Sequence, residues 1–415
     1  MDKILSLQDW LCYIENLHTK SVDLGLDRVQ DIAIKLDLLD LAPVVIIVGG
    51  TNGKGTTCCL LENILLRHGM SVGVYSSPHL LSYVERVRIN GQFLLESLHI
   101  QALAIIEGVR SVSLTYFEFT TLSSLYLLKH AKLDVVILEV GVGGRLDATN
   151  IINADVSVVT NIGIDHTDLL GTDYMSIAKE KFGIFRSGKP AIVGDFSYHN
   201  ILRNIIFDWY GAVPFIKYDD WLFNIEINKQ TWRWWNQYYV LDLLPFPHIP
   251  IENAAVALAT ISCLPFSISR KSIDYALTTA VLPGRFQIVS ERPVVILDVA
   301  HNPHGANYLF GRLKMMNVLG RFRLIVGMLS SKNIFDTLRV FDELMPVWYL
   351  VSLNCSLGVS SSHLVSCMKD TTSVFREFVN VCDAFNQALL DAYVEDCIVV
   401  FGSFHTVAPV LQLIH

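Results

Sequence analysis

The sequence lacks a membrane segment. Its apolar runs are short, as in "VVIIV" (44–48) and "VVILEV" (135–140), and none approaches the ~20 residues that a spanning helix needs. It also lacks any C-x-x-C spacing among its eight cysteines. The adjacent Cys58 and Cys59 suit a helix wall better than a disulfide, so buried free thiols in a reducing compartment are expected. A basic excess is missing as well. Thirty-two Lys and Arg against 40 Asp and Glu give a formal net charge of −8, with no general attraction for nucleic acid or an anionic membrane. Any anionic ligand must be held by local lysines, arginines and backbone amides. The opening "MDKILSLQDWLCYIENL" carries Asp2, Asp9 and Glu15 and fits neither a signal nor a transit peptide. A cytoplasmic protein is expected. Internal repeats and low-complexity tails are absent too.

What is present is a long, apolar chain. Its 415 residues exceed one ordinary core, and 52% hydrophobic content implies strands buried on both faces. Strand-like runs follow one another at 44–48, 71–77, 133–141, 154–163 and 189–195. Between the first two, "TTCCLLENILLRHG" places Leu61, Ile64, Leu65 and His68 on one helical stripe and stops at Gly69. Strand, helix, strand at this pace means βαβ units and a parallel sheet. Residues 208–244 alternate aromatic and polar side chains and predict antiparallel strands. After the break "LPFPHIP" and a helix at "ENAAVALATI", a second α/β series runs through 293–300, 321–329, 347–353 and 396–404. The expected fold is therefore α/β. A P-loop ATPase-like domain, 1–284, has a parallel sheet and the small antiparallel segment, and a smaller Rossmann-like domain, 285–415, follows.

Chemistry concentrates at strand ends. "VVIIVGGTNGKGTTCC" (44–59) reads as a strand, a glycine-rich turn and a helix. The common phosphate loop places the hydroxyl directly after the lysine, whereas here Gly55 separates Lys54 from Thr56. Such a turn wraps backbone N–H groups around phosphate oxygens, although glycine-rich turns also occur without ligands. Glu139 ends the strand in "VVILEVGVGGRLDATN", where a carboxylate can reach Mg²⁺ or serve as an ordinary edge acid. Asp165 and His166 end another strand, and His166 is either a satisfied polar residue or a second metal ligand. On the helix at 172–185, Lys181 shares an apolar stripe with Tyr174, Ile177 and Ala178. A lysine there either snorkels or is paired, neutralised or modified. Farther on, Asn253, Arg285 and Asp298, with His301, Asn302 and His304, lie beside strand ends and place the active site at the domain interface.

These stretches together are similar to the folate-pathway ligases of the dihydrofolate synthase/folylpolyglutamate synthase family, a branch of the Mur ligase superfamily. The likeness runs nearly end to end, through "ENLHTKSVDLGLDRV", "GTNGKGTT", "YSSPHL", "YVERVRING", "LTYFEF", "LEVGVGGRLDATN", "DHTDLLG", "EKFGIFRSGKPAIVG", "LPGRFQIV", "DVAHNPH" and "FGSFHTV". Gly55 resembles the folate branch. The cell-wall branch lacks that glycine and carries a UDP-sugar domain ahead of its loop, for which the residues before Val44 are too few.

The resemblance implies ATP contacts from Thr51, Asn52, Gly53, Lys54, Gly55, Thr56, Asn253, Arg285 and Asp298. It implies Mg²⁺ ligands at Ser77, Glu139 and His166, with Lys181 as a carbamylated lysine supporting the metal. Lys54, His166 and Lys181 would form the catalytic set. Substrate recognition would involve Asp23, Leu24, Gly25, Thr115, Tyr116, Phe117, Glu118, Leu146, Asp147 and Ala148. The implied activity is ATP-dependent addition of L-glutamate to dihydropteroate and to reduced folates through an acyl phosphate, by a monomer. One of the two activities alone, a cell-wall-type ligase and a P-loop kinase are the competing readings. Three positions depart from the family pattern: Phe182 replaces an alanine, "MLSSKN" (328–333) lacks flanking acids at Ser331 and Asn333, and the loop around Leu357 lacks an arginine.

Overall fold

The computed structural model describes residues 5–20, 23–195, 199–226, 230–355, 357–368 and 374–414. Residues 227–229 of the expected antiparallel segment and residue 356 of the 353–361 loop lie outside that set. The chain divides into two compact units, Met1–Val281 and Leu282–His415.

In the first unit, eight strands form one sheet: β1 (Val44–Gly49), β2 (Val72–Tyr75), β3 (Val87–Ile89), β4 (Gln92–Phe93), β5 (Val135–Glu139), β6 (Val156–Asn161), β7 (Pro190–Asp195) and β8 (Val213–Ile216). Their order is β4-β3-β2-β5-β1-β6-β7-β8. All neighbours are parallel except the β2/β3 and β3/β4 pairs. The β-branched run Val44–Val48 is buried along its whole length, as a central parallel strand covered on both faces must be. A separate antiparallel sheet is made of β9 (Trp221–Glu226), β10 (Thr231–Asn236) and β11 (Val240–Pro245).

Two expectations need correction here. Residues 208–210 end the amphipathic helix His199–Tyr210, and β8 extends the parallel sheet along β7, so the antiparallel segment begins only at Trp221. The phosphate-loop helix, Lys54–His68, is buried on more than one stripe, from Thr56 through Glu62. The sheet covers one side of it and the helices Ile251–Ile261 and Arg270–Thr279 the other. It ends as expected, at a left-handed Gly69 with φ 98°.

The second unit carries β12 (Gln287–Glu291), β13 (Val294–Leu297), β14 (Phe322–Val326), β15 (Val347–Val351), β16 (Val374–Phe378) and β17 (Cys397–Phe401). Their order is β12-β13-β17-β14-β15-β16, parallel except for the β12/β13 hairpin. Each unit has its own apolar cluster, the second built on Leu324, Val326, Phe341, Trp348 and Phe401. No helix among the described residues is long and apolar enough to cross a membrane. All eight cysteines are free. Cys58, Cys59 and Cys397 are buried, whereas Cys12 is exposed.

Candidate active site

The glycine-rich turn leaves β1 and is laced to the end of β6. The Thr51 N–H donates to the Asn161 carbonyl at 3.0 Å, and the Asn52 N–H donates to Asn161 Oδ1 at 3.0 Å. Thr160 Oγ1 donates to the Asn52 carbonyl at 2.6 Å. Gly50 and Gly53 have φ of 137° and 81°, the region that L-side chains avoid. The helix begins directly at Lys54, so the first-turn amides and the positive end of the helix dipole face the loop. Lys54 Nζ curls back to the Gly50 and Thr51 carbonyls at 3.0 and 3.2 Å, which places an ammonium inside the turn. Gly55 and Thr56 occupy the next two helical positions. Asn253, on the helix Ile251–Ile261 and 7% exposed, presses its amide against Gly53. Backbone donors, one cation and no space for a β-carbon fit a phosphate chain.

Glu139 closes β5, the neighbour of β1, and is 5% exposed. Its Oε2 accepts the Ser77 N–H at 3.2 Å, so two expected metal ligands meet. The Glu139 carboxylate and the Ser77 hydroxyl are hard oxygen donors of the kind that suits Mg²⁺. Among the described residues, no three His, Cys, Asp or Glu side chains gather into a metal cage, so a bound ion would also need water or phosphate oxygens. His166 follows β6 with φ 51° and precedes the short helix Thr167–Leu170. Lys181 lies in the last turn of the helix Tyr174–Phe182 and is 4% exposed, so it does not snorkel into solvent. The loop after Glu139 rests on it: a β-carbon on Gly144 would stand 2.9 Å from the Lys181 carbonyl. Arg145 anchors the same loop, its N–H bonding the Glu180 carbonyl at 2.7 Å and its guanidinium the Glu180 carboxylate at 2.9 Å.

The expected substrate residues form a second cluster in this unit. Thr115 caps the helix Tyr116–His130 in a reciprocal box with Glu118. Glu118 Oε2 accepts the Thr115 N–H at 2.7 Å, and its Oε1 accepts Arg28 Nε and Nη2 at 3.1 and 2.9 Å. Arg28 also binds Asp23, through Nη1 to Oδ2 at 2.8 Å and Nη2 to the backbone carbonyl at 2.7 Å. Arg28 thus joins Asp23 to Glu118, and sequence reasoning missed it. The signal available was a basic residue five positions after Asp23, at the start of the helix Asp27–Lys35.

Asp147 is buried and receives four donors: Gly141 and Val142 N–H on Oδ2, and Thr149 N–H and Oγ1 on Oδ1. Burial pushes its pKa up, and those hydrogen bonds pull against the rise. Phe117 packs over Gly141 and faces Tyr75 at a 6.3 Å ring separation. Arg86, buried, lies over the Tyr83 and Tyr116 rings at 5.8 and 5.5 Å and donates to His79 Nδ1 at 3.0 Å. Leu146 is half-buried and Ala148 buried, while Leu24 is exposed and Gly25 has open space around it.

In the second unit, Asp298 is buried at the end of β13. It accepts the Phe286 and Ala300 N–H groups at 2.8 and 2.7 Å. Burial raises its pKa, against the opposing charges of Arg285 and Arg312. Arg285 lies 5.1 Å over the Phe404 ring. Asn302 caps the helix Pro303–Lys314, His301 bonds the Val299 carbonyl, and His304 is exposed. The two departing loops meet each other, through a Leu329–Gly358 bridge and the Ser330 N–H on the Leu357 carbonyl.

A P-loop on a parallel sheet, followed by a Rossmann-like unit, defines the class of Mur-type ligases. Residues 48–240 match the Mur ligase middle domain, and residues 284–404 match the Mur ligase glutamate ligase domain. Within that class the chain belongs to the dihydrofolate synthase/folylpolyglutamate synthase family. It is 48% identical over 409 residues to the dihydrofolate synthase/folylpolyglutamate synthase of Escherichia coli, covering 98% of this chain and 95% of that protein. The fold superposes on E. coli FolC in complex with DHPP and ADP with a TM-score of 0.95 at 48% identity, covering 99% and 98% of the two chains. A bifunctional folylpolyglutamate synthase/dihydrofolate synthase with Mn, AMPPNP and L-glutamate bound gives a TM-score of 0.92 at 48% identity, covering 99% and 98%.

Proposed function

We propose that this chain uses ATP to join L-glutamate to the carboxyl group of dihydropteroate and of reduced folates. The observation that carries the reading is the Gly50–Lys54 turn, with its left-handed glycines and inward ammonium, leaving the strand whose Val48 is in register with Glu139 of the Ser77–Glu139 pair. Relatives sharing 48% of the sequence are named for both activities, and solved ones hold ADP, DHPP, or AMPPNP with Mn and L-glutamate.

The chemistry follows from the substrates. A carboxylate is a poor electrophile, so its oxygen first takes the γ-phosphoryl group of ATP, releasing ADP and leaving an acyl phosphate. The glutamate amine then attacks the acyl carbon, and phosphate departs. Thr51–Thr56, with Asn253, Arg285 and Asp298, are assigned to the nucleotide. Lys54 stabilises charge on the transferring phosphoryl group, chiefly by position and electrostatics. Held by Ser77, Glu139 and His166, Mg²⁺ would spread that charge further.

Lys181 is assigned as a carbamate, an anion that would support the metal site. Asp23–Gly25, Thr115–Glu118 and Leu146–Ala148 are assigned to the substrate. The protein is read as a cytoplasmic monomer. Incubation with ATP, Mg²⁺, dihydropteroate or a reduced folate, and glutamate should yield the glutamyl product by mass spectrometry. ADP release that ignores glutamate and the pterin would refute the ligase reading in favour of a kinase or simple NTPase.

A further inference from the structure

The buried ion pair between Arg88 and Glu62 takes no part in this chemistry. Arg88, on β3, donates Nε to Glu62 Oε2 at 2.9 Å and Nη1 to Ser76 Oγ at 3.2 Å. Glu62 lies in the middle of the phosphate-loop helix and is 3% exposed. Ser76 directly precedes Ser77, whose N–H bonds Glu139. One side chain therefore ties the helix that opens at Lys54 to the segment that carries the metal edge. The strand register makes this reach possible, because Arg88 pairs with Val74 and the Ser76 N–H is fixed to the Arg86 carbonyl at 2.9 Å.

Stability is a weak reason for this arrangement. A buried ion pair is usually matched or bettered by an apolar pair of the same volume. A pair built for strength would also use both carboxylate oxygens, yet Glu62 Oε1 has no hydrogen-bond partner among the described residues. The fork instead divides its prongs between Glu62 and Ser76. A planar guanidinium with two fixed bonds sets a distance and an angle, which a flexible ammonium cannot do.

We infer that Arg88, oriented by Glu62, is a positioning residue that sets the metal edge at Ser77 and Glu139 against the phosphate-loop helix. The inference rests on the proposed assignment of Ser77 and Glu139 to the metal.

Mn²⁺ binding by the full-length protein in the presence of a non-hydrolysable ATP analogue, followed by electron paramagnetic resonance, tests it. The double variant Glu62→Leu/Arg88→Met removes the pair without stranding a charge. It should melt close to the unmodified protein and bind Mn²⁺ about 10-fold more weakly, with the KM for glutamate unchanged. Ser77→Ala is the control. If Ser77→Ala weakens Mn²⁺ binding and the double variant does not, the positioning role is overturned and the metal edge stands. If neither weakens it, the metal assignment is wrong and the positioning role falls with it. Should the double variant melt early, Arg88→Lys, which keeps the ion pair but loses the second prong, decides by the same Mn²⁺ criterion.

Discussion

The side-chain amide of Asn253 fills the space where a β-carbon on Gly53 would stand. Gly53→Ala must therefore displace Asn253 and hold alanine at a φ of 81°. A displacement of this size in a phosphate-positioning loop is expected to lower kcat/KM about 100-fold. Steady-state kinetics in varied ATP measures it. Adding Asn253→Ala should relieve the clash and leave the backbone strain, so recovery should be incomplete.

Arg28 bridges Glu118 and Asp23. Arg28→Met leaves Glu118 with only its cap bond to Thr115, at a cost of about 2 kcal/mol. Denaturant unfolding should show that loss. Kinetics should show a raised KM for dihydropteroate, with the KM for ATP unchanged. Equal rises for both substrates would mean general loosening of the unit.

Phe182, where the family pattern has alanine, is fully buried and stacks on Phe185 at 5.1 Å. Tyr210 closes the cluster edge-on against Phe185. Phe182→Ala should cost about 3 kcal/mol through lost burial and the cavity left behind. A melting scan checks it; a change within ±0.5 kcal/mol would show that the neighbours collapse into the space.

Burial lowers the His99 pKa from 6.5 to about 4. The unfolded chain takes up a proton there near pH 6.5, but the folded chain does so only near 4. Acid in that window therefore favours unfolding. The contribution, ~3 kcal/mol, is complete above pH 6.5 and is lost as pH falls towards 4. His99→Phe keeps a ring against Tyr83, 5.4 Å away, and should flatten the stability profile over that range. Unfolding curves at several pH values decide the point.

Lys181→Ala should remove most turnover, with partial recovery on adding small carboxylates that can stand in for a carbamate. Full activity in the variant would remove Lys181 from the reaction.

Much of the architecture was legible because the parallel strands are long apolar runs separated by helices. The strands that escaped were short or exposed. β3 and β4 are joined by Asn90-Gly91, with φ of 52° and 76°, a two-residue hairpin signal that was there to read. β16 has an exposed surface along most of its length, so it shows no buried alternation. The glycine-rich turn, Glu139 and the inward Lys181 were visible because each breaks a local rule of polarity or spacing. Arg28 and Arg88 were not. Each gains its meaning from a partner 90 or 26 residues away, which only the topology supplies.

The saturated carboxylates bear on inhibitor design. Read as a string, Glu118 and Asp147 offer two anionic handles for a basic group on a drug molecule. In the fold, neither is on offer. Three donors already hold Glu118 and four hold Asp147, so an amine aimed at either must displace the bonds that fix the Thr115 helix cap or the 141–149 turn. Compounds for this cluster should leave the acids alone.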